Sequence, residues 1–108
     1  MNLPTEVFGN VVVVHTPEDL NEEQAEQLER FLSTLDRSQI IVDLDGTESF
    51  ESAALTALLN AQDTVRQVGG DIKLTVTNKM NRKILEITRL DQQLEVFESV
   101  IDAVKSFV

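Results

Sequence analysis

The sequence predicts a single α/β domain over residues 1–108, built on a mixed, mostly parallel sheet of four to five strands with about four helices. Two observations predict this class. Short runs rich in valine and isoleucine alternate with longer segments whose apolar residues recur at helical spacing, and that alternation favours parallel strands joined by right-handed crossovers. The length of 108 residues supports one hydrophobic core rather than two.

The first predicted elements form a hairpin. Four consecutive valines, Val11–Val14, are typical of a strand that is covered on both faces. Gly9 and Asn10 precede them and indicate a tight turn, which would connect the valine strand to a short edge strand at residues 6–8.

A surface helix and the central strand are predicted next. Asn21, with Gln24 three residues later, resembles a capping box, and apolar residues within 20–35 line one face of the helix that it begins. The apolar run 40–42 then predicts a buried strand, which leads into Asp-Leu-Asp-Gly at 43–46.

The second half continues the alternation of helices and strands. A helix begins near Ser52 and ends at Gly69-Gly70, a usual C-terminal signal. Residues 71–77 alternate between apolar and polar side chains, which predicts a strand whose polar face, with Lys73, is more solvated or lies near a sheet edge. Residues 94–97 are expected to form a last short strand.

Two short helices complete the prediction, with Asn78 and Ser99 as their expected N-caps. The residues expected to point inward from the first are Met80, Ile84, Leu85 and Ile87. The residues expected to point inward from the second are Val100, Ile101, Val104 and Phe107.

Composition and charge disfavour several classes of function. Nineteen acidic against nine basic residues give a net charge of −10, which argues against nucleic-acid binding. No run of about eighteen apolar residues is present, so no membrane insertion is expected. The chain has no cysteine, which excludes disulfides and thiolate chemistry. With no signal-peptide pattern at the N-terminus, we expect a cytoplasmic location.

The basic residues are unevenly distributed. Six of the nine lie in one segment, at Arg66, Lys73, Lys79, Arg82, Lys83 and Arg89. Two interpretations stay open: an ordinary solvated helix face, or a docking patch that, opposite the acidic first half, orients a protein partner.

No set of residues predicts catalysis. Asp43 and Asp45 flank Leu44 and could face one Mg²⁺ ion, but neither a third carboxylate nor a suitable lysine accompanies them. His15 follows a strand without any G-x-S-x-G motif. Gly69-Gly70 follows a helix, whereas a glycine-rich phosphate loop opens one. We expect no catalytic residue, no metal and no cofactor, and the chain is not predicted to be an enzyme.

The stretch 40–68 contains the predicted working surface. A buried strand leads through a polar loop to the start of an amphipathic helix, where unpaired N–H groups carry partial positive charge. The loop holds the hydroxyl groups of Thr47, Ser49 and Ser52. Ser52 has two interpretations: an N-cap for the helix, or a residue that accepts a phosphoryl group or contacts a partner.

The motifs at this junction resemble the STAS family, the domain of bacterial anti-sigma factor antagonists and of sulfate-transporter tails. In that family a strand ends in Asp-Leu-x-Gly, and Asp-Ser-Ser/Thr-Gly-Leu then opens a helix. This chain has Asp43-Leu44-Asp45-Gly46 and Glu51-Ser52-Ala53-Ala54-Leu55 at matching spacing. A later family segment ending in Thr-Gly-Leu is similar to Ile84–Leu90. The resemblance covers nearly the whole chain.

The resemblance implies where a phosphorylation switch would lie. In the antagonists the phosphorylated residue is the second hydroxyl residue of the helix-opening motif, and that position is Ala53 here. The family's aspartate is Glu51 and its glycine is Ala54, which implies regular helix at the junction. Three alternatives follow: Ser52 or Ser49 is the substitute, binding is constitutive, or this branch has no phosphorylation.

The resemblance also implies a function. We expect a non-enzymatic regulatory module that binds a serine-kinase-type anti-sigma factor, as a monomer or weak dimer. The residues expected to contact that partner are Thr47, Phe50, Glu51, Ser52, Ala53, Thr56, Asn60, Asp63 and Gln67. Alternatives are a STAS subunit of an ABC-type transporter or lipid-trafficking complex, and a small-ligand-binding STAS domain.

Overall fold

A computed structural model describes residues 2–107, so residues 1 and 108 of the predicted domain lie outside the description. The elements in chain order are β1 (Thr5–Phe8), β2 (Val11–His15), β3 (Asp19–Leu20), α1 (Glu22–Thr34), β4 (Gln39–Asp43), β5 (Ser49–Phe50), α2 (Ser52–Arg66), β6 (Asp71–Thr75), α3 (Lys79–Ile87), a 3₁₀ turn (Leu90–Gln92), β7 (Val96–Phe97) and α4 (Val100–Ser106).

The main sheet has five strands in the order β1-β2-β4-β6-β7. β1 is antiparallel to β2, and the other neighbouring strands are parallel. The prediction of a mixed, mostly parallel sheet with four helices is therefore confirmed. A separate parallel ribbon of two residues per strand, formed by β3 and β5, was not predicted.

The hairpin between β1 and β2 forms as the sequence predicts. Phe8 pairs with Val11 across a two-residue turn, and Gly9 adopts a φ of +62°, which glycine tolerates without steric cost. All four residues of β1 are exposed, whereas Val11–Val14 are at most 4% exposed. The valine run is therefore covered on both faces, and β1 is an edge strand.

Helices cover both faces of the sheet. Alternate residues of β2 and β4, such as Val12 and Val42, share one core with α1, α2 and Leu85 of α3. The opposite residues, such as Val13 and Ile41, pack with Ala103 of α4. The sheet is thus the middle layer, with three helices on one side and α4 on the other.

The polar face of β6 is buried, which corrects the prediction of a more solvated face. Lys73 and Thr75 are 7% and 2% exposed, because α4 covers this side of the sheet. The Lys73 ammonium donates to the hydroxyl and the carbonyl of Ser106 at 2.8 and 3.2 Å, and it lies 4.2 Å from the centre of the Phe107 ring. These partners at the end of α4 satisfy the buried charge.

The inward faces of α3 and α4 agree with the prediction only in part. On α3, Leu85 is buried as predicted, but Met80 and Ile87 are 74% and 71% exposed, and Asn81, which was not predicted, is buried. The Asn81 amide donates to two backbone carbonyls, so a polar residue takes the inward position. On α4, Val100, Val104 and Phe107 pack inward as predicted, whereas Ile101 is exposed and Ala103 is buried.

Asn78 and Ser99 cap α3 and α4 as predicted, since each side chain accepts a hydrogen bond from the first turn of its helix. After α3 the chain turns at Arg89, which has a left-handed φ of 60° and stands where the resemblance to the STAS family places a glycine. None of the helices within residues 2–107 combines the length and the apolar character needed to cross a membrane.

Candidate functional site

The candidate site begins at the carboxyl ends of the parallel strands, where Asp43 closes β4. One oxygen of its carboxylate accepts hydrogen bonds from the Asp45 N–H and the Thr75 hydroxyl, both at 3.2 Å. The other oxygen lies 2.8 Å from Nδ1 of His15. Asp43 therefore fixes the strand end and the turn that follows it.

The Asp45 carboxylate turns away from Asp43 toward the segment before α3. It accepts hydrogen bonds from the Thr77 N–H at 2.7 Å, the Thr77 hydroxyl at 2.9 Å and the Asn78 N–H at 3.1 Å. The carboxylates of both acidic residues in the Asp-Leu-Asp-Gly motif thus accept hydrogen bonds from groups of the protein itself. Within residues 2–107, no three His, Cys, Asp or Glu side chains converge to hold a metal ion.

Thr47 is fully buried, so its predicted contact with a partner is wrong for this structure. Its hydroxyl donates to the Pro17 carbonyl at 2.5 Å and lies 2.6 Å from the Thr16 hydroxyl. The Asn81 amide donates to the Thr47 carbonyl at 2.8 Å and to the Leu44 carbonyl at 3.1 Å. These bonds make the 44–47 turn a rigid base for the exposed residues that follow.

The small β3–β5 ribbon holds the next part of the loop in place. The N–H groups of Glu48 and Ser49 donate to the Glu18 carbonyl at 2.8 and 3.2 Å, and the Glu51 N–H donates to the Leu20 carbonyl at 3.0 Å. Ser49 stays exposed in this position. The backbone on which it lies is therefore bonded rather than free.

Helix α2 begins at Ser52, and its N-cap is Glu51, not Ser52 as one interpretation of the sequence had it. The Glu51 side chain makes no bond to its own helix. Its carboxylate accepts a hydrogen bond from the Glu22 N–H at 3.0 Å, at the first residue of α1. Glu51 thus links the starts of the two helices and leaves the Ser52 hydroxyl exposed.

Helix α2 presents a continuous line of exposed polar residues. Their spacing of three or four residues puts them on one side of the helix, and they are Ser52, Thr56, Asn60, Asp63 and Gln67. Phe50 and Ala53 are half-buried beside the Ser52 end of this line. The structure therefore brings together every predicted contact residue except Thr47.

A shallow groove between α1 and α2 adjoins the polar line, with a volume of about 320 Å³. Ala25, Ala53 and Ala57 are among its lining residues, together with Glu22 and Glu26. Farther along the two helices, the Asn60 amide donates to the Glu29 carboxylate at 3.2 Å. The N-terminal half of α2 is thus flanked by carboxylates of α1.

The loop side of the site is also acidic. Glu18 and Glu48, the residues just before β3 and β5, lie side by side, and the hydrogen bond between their carboxyl groups, together with the negative charge of Glu48, raises the pKa of Glu18 above its usual 4.5. The sequence did not predict this pair, because the ribbon has only two residues in each strand. A surface of this charge favours a partner with basic side chains.

Comparison with known proteins is consistent with this architecture. The family model described as STAS domain matches residues 2–103. A Thermotoga neapolitana protein described as a candidate anti-sigma factor antagonist is 26% identical over 106 residues, which cover 94% of each chain.

Two solved structures share the fold at low sequence identity. An anti-sigma factor antagonist from Mycobacterium paratuberculosis has a TM-score of 0.84 and 18% identity, covering 97% of this chain and 92% of that one. The Bacillus cell fate determinant SpoIIAA in its phosphorylated form has a TM-score of 0.72 and 18% identity, covering 99% and 100%.

Proposed function

Because this chain belongs to the STAS domain family, we propose that it is a non-enzymatic regulatory module that binds a protein partner in the manner of an anti-sigma factor antagonist. The observation that supports this most is the exposed polar line of α2, which begins at the junction where the family motif lies. The carboxylates of Asp43 and Asp45 are occupied by protein donors, which supports a structural role for both.

We propose a serine-kinase-type anti-sigma factor as the partner, and a cytoplasmic location follows from that choice. The description of the Thermotoga neapolitana relative supports an anti-sigma factor as the class of partner. The docking surface consists of Phe50, Glu51, Ser52, Ala53, Thr56, Asn60, Asp63 and Gln67. Glu18, Glu48 and Glu22 flank this surface and match a partner with arginine or lysine at its rim.

Ser52 is the better candidate for phosphorylation. Ala53 occupies the family's phosphoacceptor position and has no hydroxyl group. Ser52 is exposed in the first turn of α2, where unpaired N–H groups stabilise added negative charge. Ser49 is exposed as well, but it follows Glu48, whose carboxylate already opposes that of Glu18. A phosphate on Ser49 would therefore add to existing repulsion.

A binding measurement tests the proposed docking surface. The protein is titrated by calorimetry with serine-kinase-type anti-sigma factors from the same genome. Ala53→Glu and Thr56→Arg alter the surface, and Val68→Glu is the matched control at an exposed position just after the end of α2. We expect each surface variant to weaken binding tenfold or more, which is about 1.4 kcal/mol, and the control to bind as the wild type does. A complex that tolerates both surface variants excludes this surface, and no complex with any such factor excludes the proposed partner.

A second experiment tests the modification. The protein is incubated with the bound factor and ATP, and phosphate is located by mass spectrometry. We expect phosphate on Ser52, lost in Ser52→Ala and retained in Ser49→Ala. Absence of phosphate in the wild type would leave a constitutive binder, and loss only in Ser49→Ala would overturn the assignment to Ser52.

A further inference from the structure

His15 lies between two carboxylates from the strands on either side of β2. Its Nε2 is 2.7 Å from a carboxylate oxygen of Glu6 on β1, and its Nδ1 is 2.8 Å from an oxygen of Asp43 on β4. The imidazole thus spans the sheet from its exposed edge strand to the central strand. Asp43 is the residue that also fixes the turn leading to the candidate site.

The two contacts require two donors. An ionised carboxylate only accepts hydrogen bonds, and a neutral imidazole carries a single N–H, so a neutral ring would leave one nitrogen lone pair facing a carboxylate at under 3 Å. The imidazolium carries an N–H on each nitrogen and satisfies both carboxylates. The geometry is therefore that of a charged ring.

We propose that the doubly protonated ring of His15 is a bridge that fastens the edge strand β1 to the central strand β4, and that His15 releases β1 when the pH rises and the ring loses a proton. Its loss of a proton removes one of the two hydrogen bonds. The bond to Glu6 is the one lost, because the Glu6 side chain is 55% exposed and that of Asp43 is 16% exposed. This proposal does not depend on the identity of any partner.

The electrostatics agree with this geometry. Partial burial by itself lowers the pKa of His15, but the hydrogen bonds and negative charges of Glu6 and Asp43 outweigh it and raise the pKa above 6.5. Glu6 from β1 and Asp43 from β4 are the charged groups that face the ring. From β6 comes the neutral hydroxyl of Thr75, which donates to Asp43.

The release acts on a strand that has few other attachments. The residues of β1 are all exposed, and β1 pairs with β2 alone. Beyond that ladder, the structure gives β1 the side-chain contact of Glu6. Just before the strand, the His15 N–H donates to the Pro4 carbonyl at 3.0 Å and the Leu3 side chain packs against the core. Loss of the bridge is therefore expected to loosen β1 while the central strands stay intact.

Nuclear magnetic resonance tests the protonation state directly, since His15 is the one histidine of the sequence. At pH 6.5 we expect both ring nitrogens to be mainly protonated, with a titration midpoint above 6.5. Glu6→Gln should lower the midpoint, and because Glu6 is exposed we expect this variant to fold. Glu48→Gln, which removes a negative charge elsewhere, should leave the midpoint unchanged. A midpoint at or below 6.5, or one that Glu6→Gln leaves unchanged, would overturn the bridge.

Hydrogen exchange tests the release. After correction for the intrinsic pH dependence of exchange, β1 amides of the wild type should lose protection as the pH rises through the His15 midpoint. The loss should reach up to about tenfold for each unit by which the pKa exceeds its unfolded value, whereas β4 amides should stay protected. His15→Gln should abolish the pH dependence in β1. A wild-type β1 with constant protection across the midpoint would exclude the release.

Discussion

The carboxylate of Glu51 accepts a hydrogen bond from the backbone N–H of Glu22 at 3.0 Å, so the N-cap residue of α2 also satisfies the start of α1. A negative charge at that position stabilises the free N–H groups of α1. The two helices that flank the candidate groove are thereby tied together at one end. The STAS motif that this junction resembles has an aspartate where this chain has Glu51, and the extra methylene group gives the glutamate carboxylate a longer reach.

Glu51→Ala should therefore destabilise the protein although the side chain is exposed. We expect a loss of about 1 kcal/mol, the usual cost of removing a helix cap, measured by urea denaturation. Glu26→Ala on the exposed part of α1 is the matched control and should change stability by less than about 0.5 kcal/mol. Equal effects of the two variants would show that the contact with Glu22 contributes nothing.

The two adjacent glycines after α2 should respond differently to alanine. A Cβ atom on Gly70 would lie 2.1 Å from the Ser38 carbonyl oxygen, so Gly70→Ala must displace backbone and should cost about 2–3 kcal/mol. A Cβ on Gly69 meets no atom within 4 Å, and only its φ of +85° opposes the change, at about 1 kcal/mol. Thermal unfolding of both variants shows which one loses more stability. A smaller loss of stability for Gly70→Ala than for Gly69→Ala would contradict the prediction.

Asn81 should be far more important for stability than its place on a surface helix indicates. Asn81→Ala removes two buried hydrogen bonds, to the Leu44 and Thr47 carbonyls, and should cost about 2–3 kcal/mol. Asn60→Ala, which removes one exposed bond to Glu29, should cost less than about 0.5 kcal/mol. Urea denaturation compares the two, and faster amide exchange in the 44–47 turn should accompany only the first.

The Glu18–Glu48 pair predicts a pH dependence of stability. The pKa of Glu18 is raised in the folded state, so the folded protein binds this proton more tightly than the unfolded chain. The repulsion is therefore absent at low pH and grows as the pH rises from about 4.5 through the folded value. Glu48→Gln should raise the melting temperature at pH 7 and have little effect at pH 4. Glu26→Gln is the control, and an equal gain at both pH values would refute the pair.

Much of the fold could be predicted because apolar periodicity reports burial directly. The valine run Val11–Val14 has no polar position, and a strand of that kind must lie between two layers. Lys73 shows where this argument fails. The alternation in β6 indicated solvent on its polar face, but a long side chain can lie under a helix when that helix offers a carbonyl, a hydroxyl and an aromatic ring.

The candidate site could be predicted in its helical part and less well in its loop. The exposed line on α2 follows from helical spacing alone. In the loop, a hydroxyl residue can face either way: Thr47 is buried and Ser49 is exposed, and only the contacts of Pro17 and Asn81 decide it. The contact of Glu51 is with the start of α1, about thirty positions earlier in the chain. Local sequence patterns do not predict a contact between residues so far apart.

The left-handed backbone conformation of Arg89 marks a position where substitution by glycine should stabilise the protein. An arginine in that conformation carries a steric penalty between its Cβ and the adjoining peptide that glycine escapes. We expect Arg89→Gly to raise the free energy of unfolding by about 0.5–1 kcal/mol, with Lys83→Gly, in the helix interior, lowering it by a similar amount. The docking-surface substitutions could then be made in the more stable Arg89→Gly background. In that background the variants should stay folded, so that a change in their affinity could be separated from a change in their stability.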